Sequence, residues 1–264
     1  MNDAFKPDVL AGKTVFVAGG SSGINLGIAQ HFARAGANIA LLSRSPEKIA
    51  AAAETINAAG GSAIGIAADV RDFGAVDAAL KATNERFGDI DIVISGAAGN
   101  FVAPALGMSA NAFKTVVDID LLGTFNVFRA CHAYLRTPGA SLIAITAGQA
   151  VNPTMMQIHA CAAKAGVNMV VKVLAMEWGS QGIRVNGISP GPIADTEGMK
   201  RLGSTPEIEA RIKSRIALRD YGTKRDIADV ALFLCSENAR YITGTIIDCD
   251  GGSGLGDAGE ARLG

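Results

Sequence analysis

Several features are scarce in this 264-residue chain, and each scarcity argues against a class of protein. Its 24 basic and 25 acidic side chains leave a formal net charge of −1, so no general attraction to nucleic acid or anionic membrane is implied. No uninterrupted apolar run approaches the roughly 18 residues that cross a bilayer. No long apolar segment follows a basic start, as a secretory signal requires. The last residues, Arg262-Leu263-Gly264, do not match a peroxisomal address of the S-K-L type. We therefore expect a cytoplasmic protein without a membrane or nucleic-acid partner.

Cysteine is also scarce, and its spacing is uninformative for metal binding. The four cysteines are far apart and form no C-x-x-C pair: Cys131, Cys161, Cys235 and Cys249. Free thiols in a reducing compartment are a more common explanation of such a pattern than disulfides or metal ligands. The sequence therefore predicts no metal site.

Apolar residues, at 49% of the chain, are abundant and periodically arranged. Short apolar runs alternate with longer amphipathic stretches, and such runs are typical of strands covered by helices on both faces. Alternating strands and helices predict a parallel sheet with right-handed crossovers. We expect an α/β fold: a single doubly wound Rossmann-type domain over residues 1–264 with a mostly seven-stranded parallel sheet. The predicted strands are Val15–Ala18, Ile39–Leu42, Ala63–Ala67, Ile92–Ile94, Leu142–Ile145, Val185–Ile188 and Thr245–Ile247.

Two segments interrupt this alternation. Residues 190–215 are polar and marked by Gly and Pro, which predicts a mobile lid. Residues 251–264 are rich in Gly and are predicted to form a loose tail.

The first predicted strand runs directly into a glycine turn that a helix follows. Glycines in this context let the backbone turn tightly and approach a pyrophosphate, while the helix N-terminus offers free N–H groups. A glycine turn that binds nothing is the less favoured alternative. The predicted cofactor contacts in this turn are Gly19, Ser21, Ser22, Gly23 and Ile24.

The end of the second strand indicates which dinucleotide binds. Sites for NAD usually place Asp or Glu there, to bond the ribose hydroxyls. This chain has Ser43-Arg44 instead, and Arg44 can pair with a 2′-phosphate. NADP(H) is therefore favoured over NAD, although a solvated surface arginine is the alternative.

These segments resemble the short-chain dehydrogenase/reductase family from about residue 10 to residue 252. The glycine motif differs from the family pattern at Asn25, where the last Gly is usual. The resemblance implies that Asp69 and Val70 contact the adenine and that Ala97 and Gly99 follow the fourth strand in the cofactor site. It also implies that one loop meets the nicotinamide carboxamide, through Pro190, Gly191, Ile193 and Thr196.

The catalytic set of that family is Asn, Ser, Tyr and Lys, and this chain keeps one of the four. Lys164 is present and is expected to bond the nicotinamide ribose. Ala160, Ala147 and Asp120 replace Tyr, Ser and Asn. Loss of a general acid costs on the order of 10²–10⁴ in rate, and loss of an oxyanion donor roughly 3–4 kcal/mol. Reduction of an ordinary ketone by the usual route is therefore not expected.

The segments around residues 96–128, 175–179 and 190–203 look like the peroxisomal-type 2,4-dienoyl-CoA reductases, which also lack the tyrosine and carry Asp at the Asn position. This resemblance implies an NADPH-dependent reduction of a 2,4-dienoyl-CoA to a 3-enoyl-CoA. The added proton goes to carbon, so a water can deliver it. We hypothesise that Asp120 and Lys164 hold that water, and that each favours the ionised form of the other.

The same resemblance suggests substrate contacts and an assembly. Arg71 and Arg201 could meet the CoA phosphates, while Phe101 and the turn from Ser109 to Asn111 could line the acyl path, each against the alternative of a solvated residue. A homotetramer on helices 109–135 and 155–178 is also implied. Two further functions stay open: a short-chain reductase of another carbonyl or acyl-CoA substrate, and a catalytically silent NADP(H)-binding protein.

Overall fold

The computed structural model describes residues 5–196, 199 and 205–258, and its centre is a sheet of seven parallel strands. This confirms the predicted fold class. Each strand contains or overlaps its predicted segment, with ends that differ by one or two residues. The strands are β1 (Thr14–Ala18), β2 (Asn38–Ser43), β3 (Ser62–Ala67), β4 (Ile92–Ser95), β5 (Ser141–Ile145), β6 (Arg184–Pro190) and β7 (Ile246–Cys249).

The strand order determines where a site can form. The order is β3-β2-β1-β4-β5-β6-β7, so the chain winds outward in opposite directions on either side of β1 and β4. Ala18, the last residue of β1, lies beside Leu42 of β2 on one side and Ser95 of β4 on the other. Ligands of open α/β sheets bind in the crevice beyond the carboxyl ends of strands at such a reversal.

Helices cover both faces of the sheet. A π-helical turn, Asp118–Leu122, joins two of them. The helices are α1 (Gly23–Arg34), α2 (Pro46–Ala58), α3 (Phe73–Phe87), α4 (Ala110–Val117), α5 (Gly123–Cys131), α6 (Ile158–Trp178), α7 (Pro206–Arg215) and α8 (Lys224–Cys235).

Two apolar layers hold the helices to the sheet. Alternate residues of β1 face opposite layers: Phe16 packs with α3, α5 and α6, whereas Val17 packs with α1, α2 and α8. The helices contribute fully buried side chains such as Phe128 of α5 and Phe32 of α1. Strands buried on both faces need apolar residues at most positions, which explains the apolar runs of the sequence.

Helix α6 combines unusual length with strong apolar character. Together with the turn after it, Ile158–Gln181, it is long and apolar enough by length and composition to cross a membrane, with a mean hydropathy of 1.3. Half of the 18-residue window that has this hydropathy is buried inside the protein. Packing of α6 against the sheet, through residues such as Val167 and Val171, therefore accounts for its apolar side chains.

The segments predicted as lid and tail contain local structure. Helix α7 lies within residues 190–215, and the Thr205 hydroxyl caps it by accepting from the N–H of Ile208. In the Gly-rich segment, the Asp250 carboxylate accepts hydrogen bonds from the backbone N–H groups of Gly252 (2.8 Å) and Gly254 (2.7 Å). That part of the predicted tail is therefore tied to the end of β7 and is not loose.

Candidate active site

A cavity of about 830 Å³ opens at the carboxyl edge of the sheet, around the ends of β1 and β4. Most of the residues predicted to bind the cofactor, and both predicted catalytic residues, lie on its wall. These are Gly19, Ser21, Ser22, Gly23, Ile24, Arg44, Asp69, Val70, Ala97, Pro190, Gly191, Thr196, Asp120 and Lys164.

The glycine turn after β1 forms the floor of this cavity. Gly19 has φ +80°, and a Cβ there would lie 2.7 Å from the backbone nitrogen of Ala97, so only glycine fits. Helix α1 begins at Gly23, and its N-cap residue Ser22 makes no side-chain cap hydrogen bond. By contrast, side chains cap α2, α3, α4, α7 and α8. The first N–H groups of α1 are therefore left without a side-chain cap beside the cavity, which fits a pyrophosphate.

Asn25, where the sequence departs from the family motif, has a structural role. Its side chain is 7% exposed, and its amide nitrogen donates to the carbonyl oxygens of Gly96 (2.8 Å) and Gly19 (3.2 Å). The side chain thereby links the turn after β1 to the turn after β4. The space that a glycine would leave in the motif is thus occupied by a hydrogen-bonded amide.

Two cations lie on the wall of the cavity near the end of β2. Arg44 follows β2, and Lys48 is in the first turn of α2; both line the cavity. Sequence reasoning missed Lys48, although its position four residues after Arg44 was a usable signal. Across from them, Arg71 donates two of its hydrogen bonds to Asp69 at 2.6 and 3.0 Å. These hydrogen bonds lower the pKa of Asp69.

Asp120 and Lys164 meet at the inner end of the cavity. The Asp120 carboxylate is 1% exposed and accepts a 2.8 Å hydrogen bond from the backbone N–H of Gly99. Its other oxygen lies 3.3 Å from Nζ of Lys164. Nζ also donates to the carbonyl oxygen of Ile145 at 3.0 Å. A buried ion pair with further hydrogen bonds on both partners is held in one geometry.

The π-helical turn between α4 and α5 places Asp120. It lies in the middle of that turn, and the hydroxyl of Thr124 donates to its carbonyl oxygen at 2.7 Å. Thr124 in turn accepts from the hydroxyl of Ser95 at the end of β4 (3.2 Å). Such turns are frequent at functional sites. The sequence offered no signal for this one, because its side chains are ordinary helix residues.

Beside Lys164, the two positions at which the family resemblance leads one to expect a hydroxyl both hold alanine. Ala147 and Ala160 both line the cavity beside Lys164. The neighbouring hydroxyl of Thr146 donates to the side-chain oxygen of Asn168 at 2.7 Å, and Thr146 is only 3% exposed. The structure thus places Ala147 and Ala160 at the site, and they contribute only methyl groups.

Three amide side chains meet beside these alanines. The oxygen of Gln157 accepts hydrogen bonds from the amide nitrogens of Asn100 (2.8 Å) and Gln149 (3.3 Å). Asn100 and Gln149 line the cavity. Sequence reasoning missed all three, because nothing in their spacing along the chain indicates that they meet.

His159 lies behind this wall and packs against a predicted substrate residue. Its ring is fully buried, and its centroid is 4.3 Å from that of Phe101. Burial lowers the pKa of His159, and the carboxylate of Asp120 partly opposes this shift. His159 is therefore packed in the interior beside Phe101.

Several predicted residues do not line the cavity. Gly99 acts through its N–H to Asp120, and Ile193 is 3% exposed and packs in the core.

The predicted substrate residues also have other partners. Arg71 is bound to Asp69, and Phe101 contacts His159. The hydroxyl of Ser109 caps α4, and exposed Asn111 lies in the first turn of that helix. Arg201 lies outside the described residues. The substrate contacts stay predictions.

Comparisons with known proteins agree with this fold. Residues 18–254 match the family model described as "Enoyl-(Acyl carrier protein) reductase". The chain is 37% identical to the crystal structure of "a short chain dehydrogenase" from Bacillus anthracis str. 'Ames Ancestor'. That match has a TM-score of 0.82 and covers 92% of this chain and 96% of the other.

Two curated relatives carry a specific activity in their names. The rat (Rattus norvegicus) "Peroxisomal 2,4-dienoyl-CoA reductase [(3E)-enoyl-CoA-producing]" is 44% identical over 252 residues, which cover 94% of this chain and 86% of the relative. A protein of the same name from Arabidopsis thaliana is 40% identical over 262 residues, covering 96% and 88% of the two chains.

Proposed function

This chain belongs to the short-chain dehydrogenase/reductase family, whose members are nicotinamide-dependent oxidoreductases, and we propose that it reduces 2,4-dienoyl-CoA to 3-enoyl-CoA with NADPH. The observation that carries the proposal is the buried pair of Asp120 and Lys164 in a cavity whose hydroxyl positions hold Ala147 and Ala160. The two curated relatives with that activity in their names support the choice of substrate.

The cavity fits a dinucleotide on structural grounds. Glycine is required at position 19, and the N-terminus of α1 has no side-chain cap. Arg44 and Lys48 would hold a 2′-phosphate, since both line the wall at the end of β2, where NAD-binding sites use an acidic residue. This arrangement favours NADP(H) over NAD(H). Lys164 would also bond the nicotinamide ribose, as the family resemblance implies.

The bound cofactor supplies a hydride, and the residues of the chain must manage a proton. Hydride addition at the δ-carbon of the dienoyl thioester moves an electron pair through the conjugated system to the thioester oxygen. The resulting dienolate takes a proton at its α-carbon and becomes the 3-enoyl-CoA. We propose that a water held between Asp120 and Lys164 delivers that proton, so that no tyrosine is needed.

The decisive experiment follows both the consumption of NADPH and the position of the new hydrogens. Purified protein, NADPH and a 2,4-dienoyl-CoA are mixed in D₂O, and the product is analysed by NMR. We expect loss of reduced-nicotinamide absorbance and a single deuterium at the α-carbon. Deuterium at the γ-carbon would identify a 2-enoyl product and contradict the proposed product.

A parallel reaction with a β-ketoacyl-CoA tests the alternative substrate class. Faster turnover of the ketone would support a short-chain reductase of another carbonyl. The two alanines favour a second candidate, a silent NADP(H)-binding protein, because they leave the site without the usual proton donor. Tight NADPH binding without turnover of either substrate would establish that candidate instead.

The assembly and location are part of the proposal. Helix α6 presents an outward apolar stripe at helical spacing: Met169 is 58% exposed, Val173 42% and Met176 86%. Such a stripe on a helix in the predicted interface supports the homotetramer, which light scattering after size-exclusion chromatography would test.

We also keep the cytoplasmic location as a prediction, although the two named relatives are called peroxisomal.

A further inference from the structure

The carboxylate of Asp120 is carried by an unusual piece of backbone. It lies in the π-helical turn Asp118–Leu122, which the N–H of Gly123 closes by donating to the carbonyl oxygen of Asp118, five residues earlier. A π-helical turn contains one residue more than the α-helical turn that it replaces. Because each residue of an α-helix rotates the chain by about 100°, the position of this extra residue determines which side chain faces Lys164.

A shift of this turn by one residue would remove the carboxylate from the site. Ile119 is 9% exposed and belongs to the core. Leu121 packs against α6 so closely that a Cβ on Gly166 would lie 2.7 Å from its side chain. A shift in either direction would bring one of these apolar side chains toward Lys164 and leave a buried cation without its partner, which is costly. The turn must therefore be held at its present position in the chain.

Two buried hydroxyls connect the turn to the sheet. The hydroxyl of Thr124, in the first turn of α5, donates to the carbonyl oxygen of Asp120 at 2.7 Å and accepts from the hydroxyl of Ser95 at 3.2 Å. Thr124 is 4% exposed, and Ser95, the last residue of β4, is 2% exposed. Threonine hydroxyls that bond the carbonyl oxygen four residues earlier often bend a helix. The bond therefore spans the irregular turn, and Ser95 ties it to a strand.

We infer that Thr124 and Ser95 are positioning residues for the proposed reaction. Their hydroxyls hold the π-helical turn in place, and the turn holds the Asp120 carboxylate between the N–H of Gly99 and Nζ of Lys164. This inference rests on the proposed function. Both hydroxyls lie behind the wall of the cavity, so they act through Asp120 and contact neither cofactor nor substrate.

Helix α3 provides a matched comparison that separates positioning from general stability. The hydroxyl of Thr83 is fully buried and donates to the carbonyl oxygen of Ala79, four residues earlier, at 2.8 Å. This is the same type of bond as that of Thr124, but α3 carries no residue of the proposed site. Loss of the hydroxyl should therefore destabilise the protein to a similar extent at both positions, whereas only the change at Thr124 should affect the reaction.

The test compares four variants with the wild type. Thr124→Val and the control Thr83→Val keep the shape of the side chain and remove its hydroxyl, whereas Thr124→Ser keeps the hydroxyl. The double variant Ser95→Ala with Thr124→Val removes both partners, so no buried donor is left unpaired. For each protein, kcat and KM with NADPH and a 2,4-dienoyl-CoA are measured together with the melting temperature. In a separate NMR measurement without substrate, hydrogen exchange of the Gly99 amide reports whether Asp120 still accepts its hydrogen bond.

We expect Thr124→Val and Thr83→Val to lower the melting temperature by similar amounts. The kcat of Thr124→Val should fall on the order of 10²-fold, the effect of displacing a reacting group by about 1 Å, with KM for NADPH near that of the wild type. The double variant should lose the same activity with a smaller fall in melting temperature, and Thr124→Ser should keep most of the wild-type rate. The Gly99 amide should exchange faster in Thr124→Val and the double variant but not in Thr83→Val.

Unchanged exchange of the Gly99 amide in Thr124→Val would overturn the inference, whatever the rate of that variant. An equal fall of kcat in Thr83→Val would also overturn it, as would a Thr124→Ser variant as slow as Thr124→Val, because the hydroxyl would then not be the cause. A wild type that fails to reduce dienoyl-CoA would refute the proposed function. In that case the exchange of the Gly99 amide would still decide whether the two hydroxyls hold Asp120 in place.

Discussion

The two halves of the cavity differ in how closely they follow their family. In the proposed cofactor half, around the glycine turn after β1, Gly19 has a positive φ and leaves no room for a side chain. In the catalytic half, Asp120, Ala147 and Ala160 replace three of four expected residues, and yet Lys164 is held in place. Binding a pyrophosphate depends on backbone geometry that few sequences provide. Delivering a proton depends only on some group or water at the right distance, so that half can change.

The first prediction, with the largest expected effect, concerns the ion pair. Asp120→Asn keeps an oxygen for the N–H of Gly99 but removes the charge, and Lys164→Met removes the cation. If the pair handles the proton, kcat for a dienoyl-CoA should fall by about 10²–10⁴ in both variants, measured by NADPH absorbance.

Two further measurements sharpen the comparison of the halves. NADPH should bind Asp120→Asn as it binds the wild type but bind Lys164→Met more weakly, because only the lysine is expected to reach the ribose. The control is Asp118→Asn, which changes a nearby carboxylate that pairs with Lys114. This variant should turn over the dienoyl-CoA at the wild-type rate. Turnover of Asp120→Asn and Lys164→Met at the wild-type rate would show that the pair is not needed.

The second prediction concerns the cofactor half. Arg44→Ala should weaken NADPH binding by about 10- to 100-fold, since hydrogen bonds to a charged phosphate contribute roughly 1.5–3 kcal/mol. Lys48→Ala should have a smaller effect, and NADH binding should change little in either variant. Fluorescence titration measures both nucleotides, with Lys81→Ala on α3 as the control. Equal losses for NADPH and NADH would argue against a 2′-phosphate contact.

The third prediction concerns Asn25, which departs from the family's glycine motif. Asn25→Ala removes two hydrogen bonds that join the turns after β1 and β4, so the free energy of unfolding should fall by about 1–3 kcal/mol. Asn25→Gly should cost about 1 kcal/mol more, because glycine is a poor helix residue. Denaturant titration measures both. Unchanged stability of Asn25→Ala would show that the amide is dispensable.

The fourth and smallest prediction concerns His159. Burial lowers its pKa below the usual 6.5, so the unfolded chain takes up a proton before the folded protein does as the pH falls. Stability should therefore decline below about pH 6.5. His159→Phe, which keeps an aromatic ring beside Phe101, should reduce that decline in thermal melts between about pH 7.5 and pH 5.5. Identical declines in both proteins would contradict the assignment.

Much of the fold was predictable because it depends on local patterns. Seven short apolar runs between amphipathic stretches indicated the sheet, and the structure has a strand at each of them. Arg44 and the glycine turn were predictable because they lie at set distances along the chain from β1 and β2. Lys48 also lies at a set distance from β2. It was missed because Arg44 alone already accounted for the binding of a 2′-phosphate.

The rest of the site depends on contacts between residues distant in the chain. The π-helical turn that presents Asp120 and the N–H of Gly99 that binds it leave no mark in the sequence. The same is true of Asn25, whose amide reaches Gly96, 71 residues away. Amides and turns of this kind are ordinary in composition, so only their meeting in space reveals a role.

The sequence by itself determined the parallel sheet, the glycine turn after β1 and the alanines at both hydroxyl positions, because strand periodicity and residue identity act locally. Tertiary structure alone decided that Asp120 and Lys164 form a buried pair and that three amides meet at the same wall. The physical reason is that the carboxyl ends of parallel strands converge at one edge of the sheet. Side chains far apart in the chain thereby come within hydrogen-bonding distance.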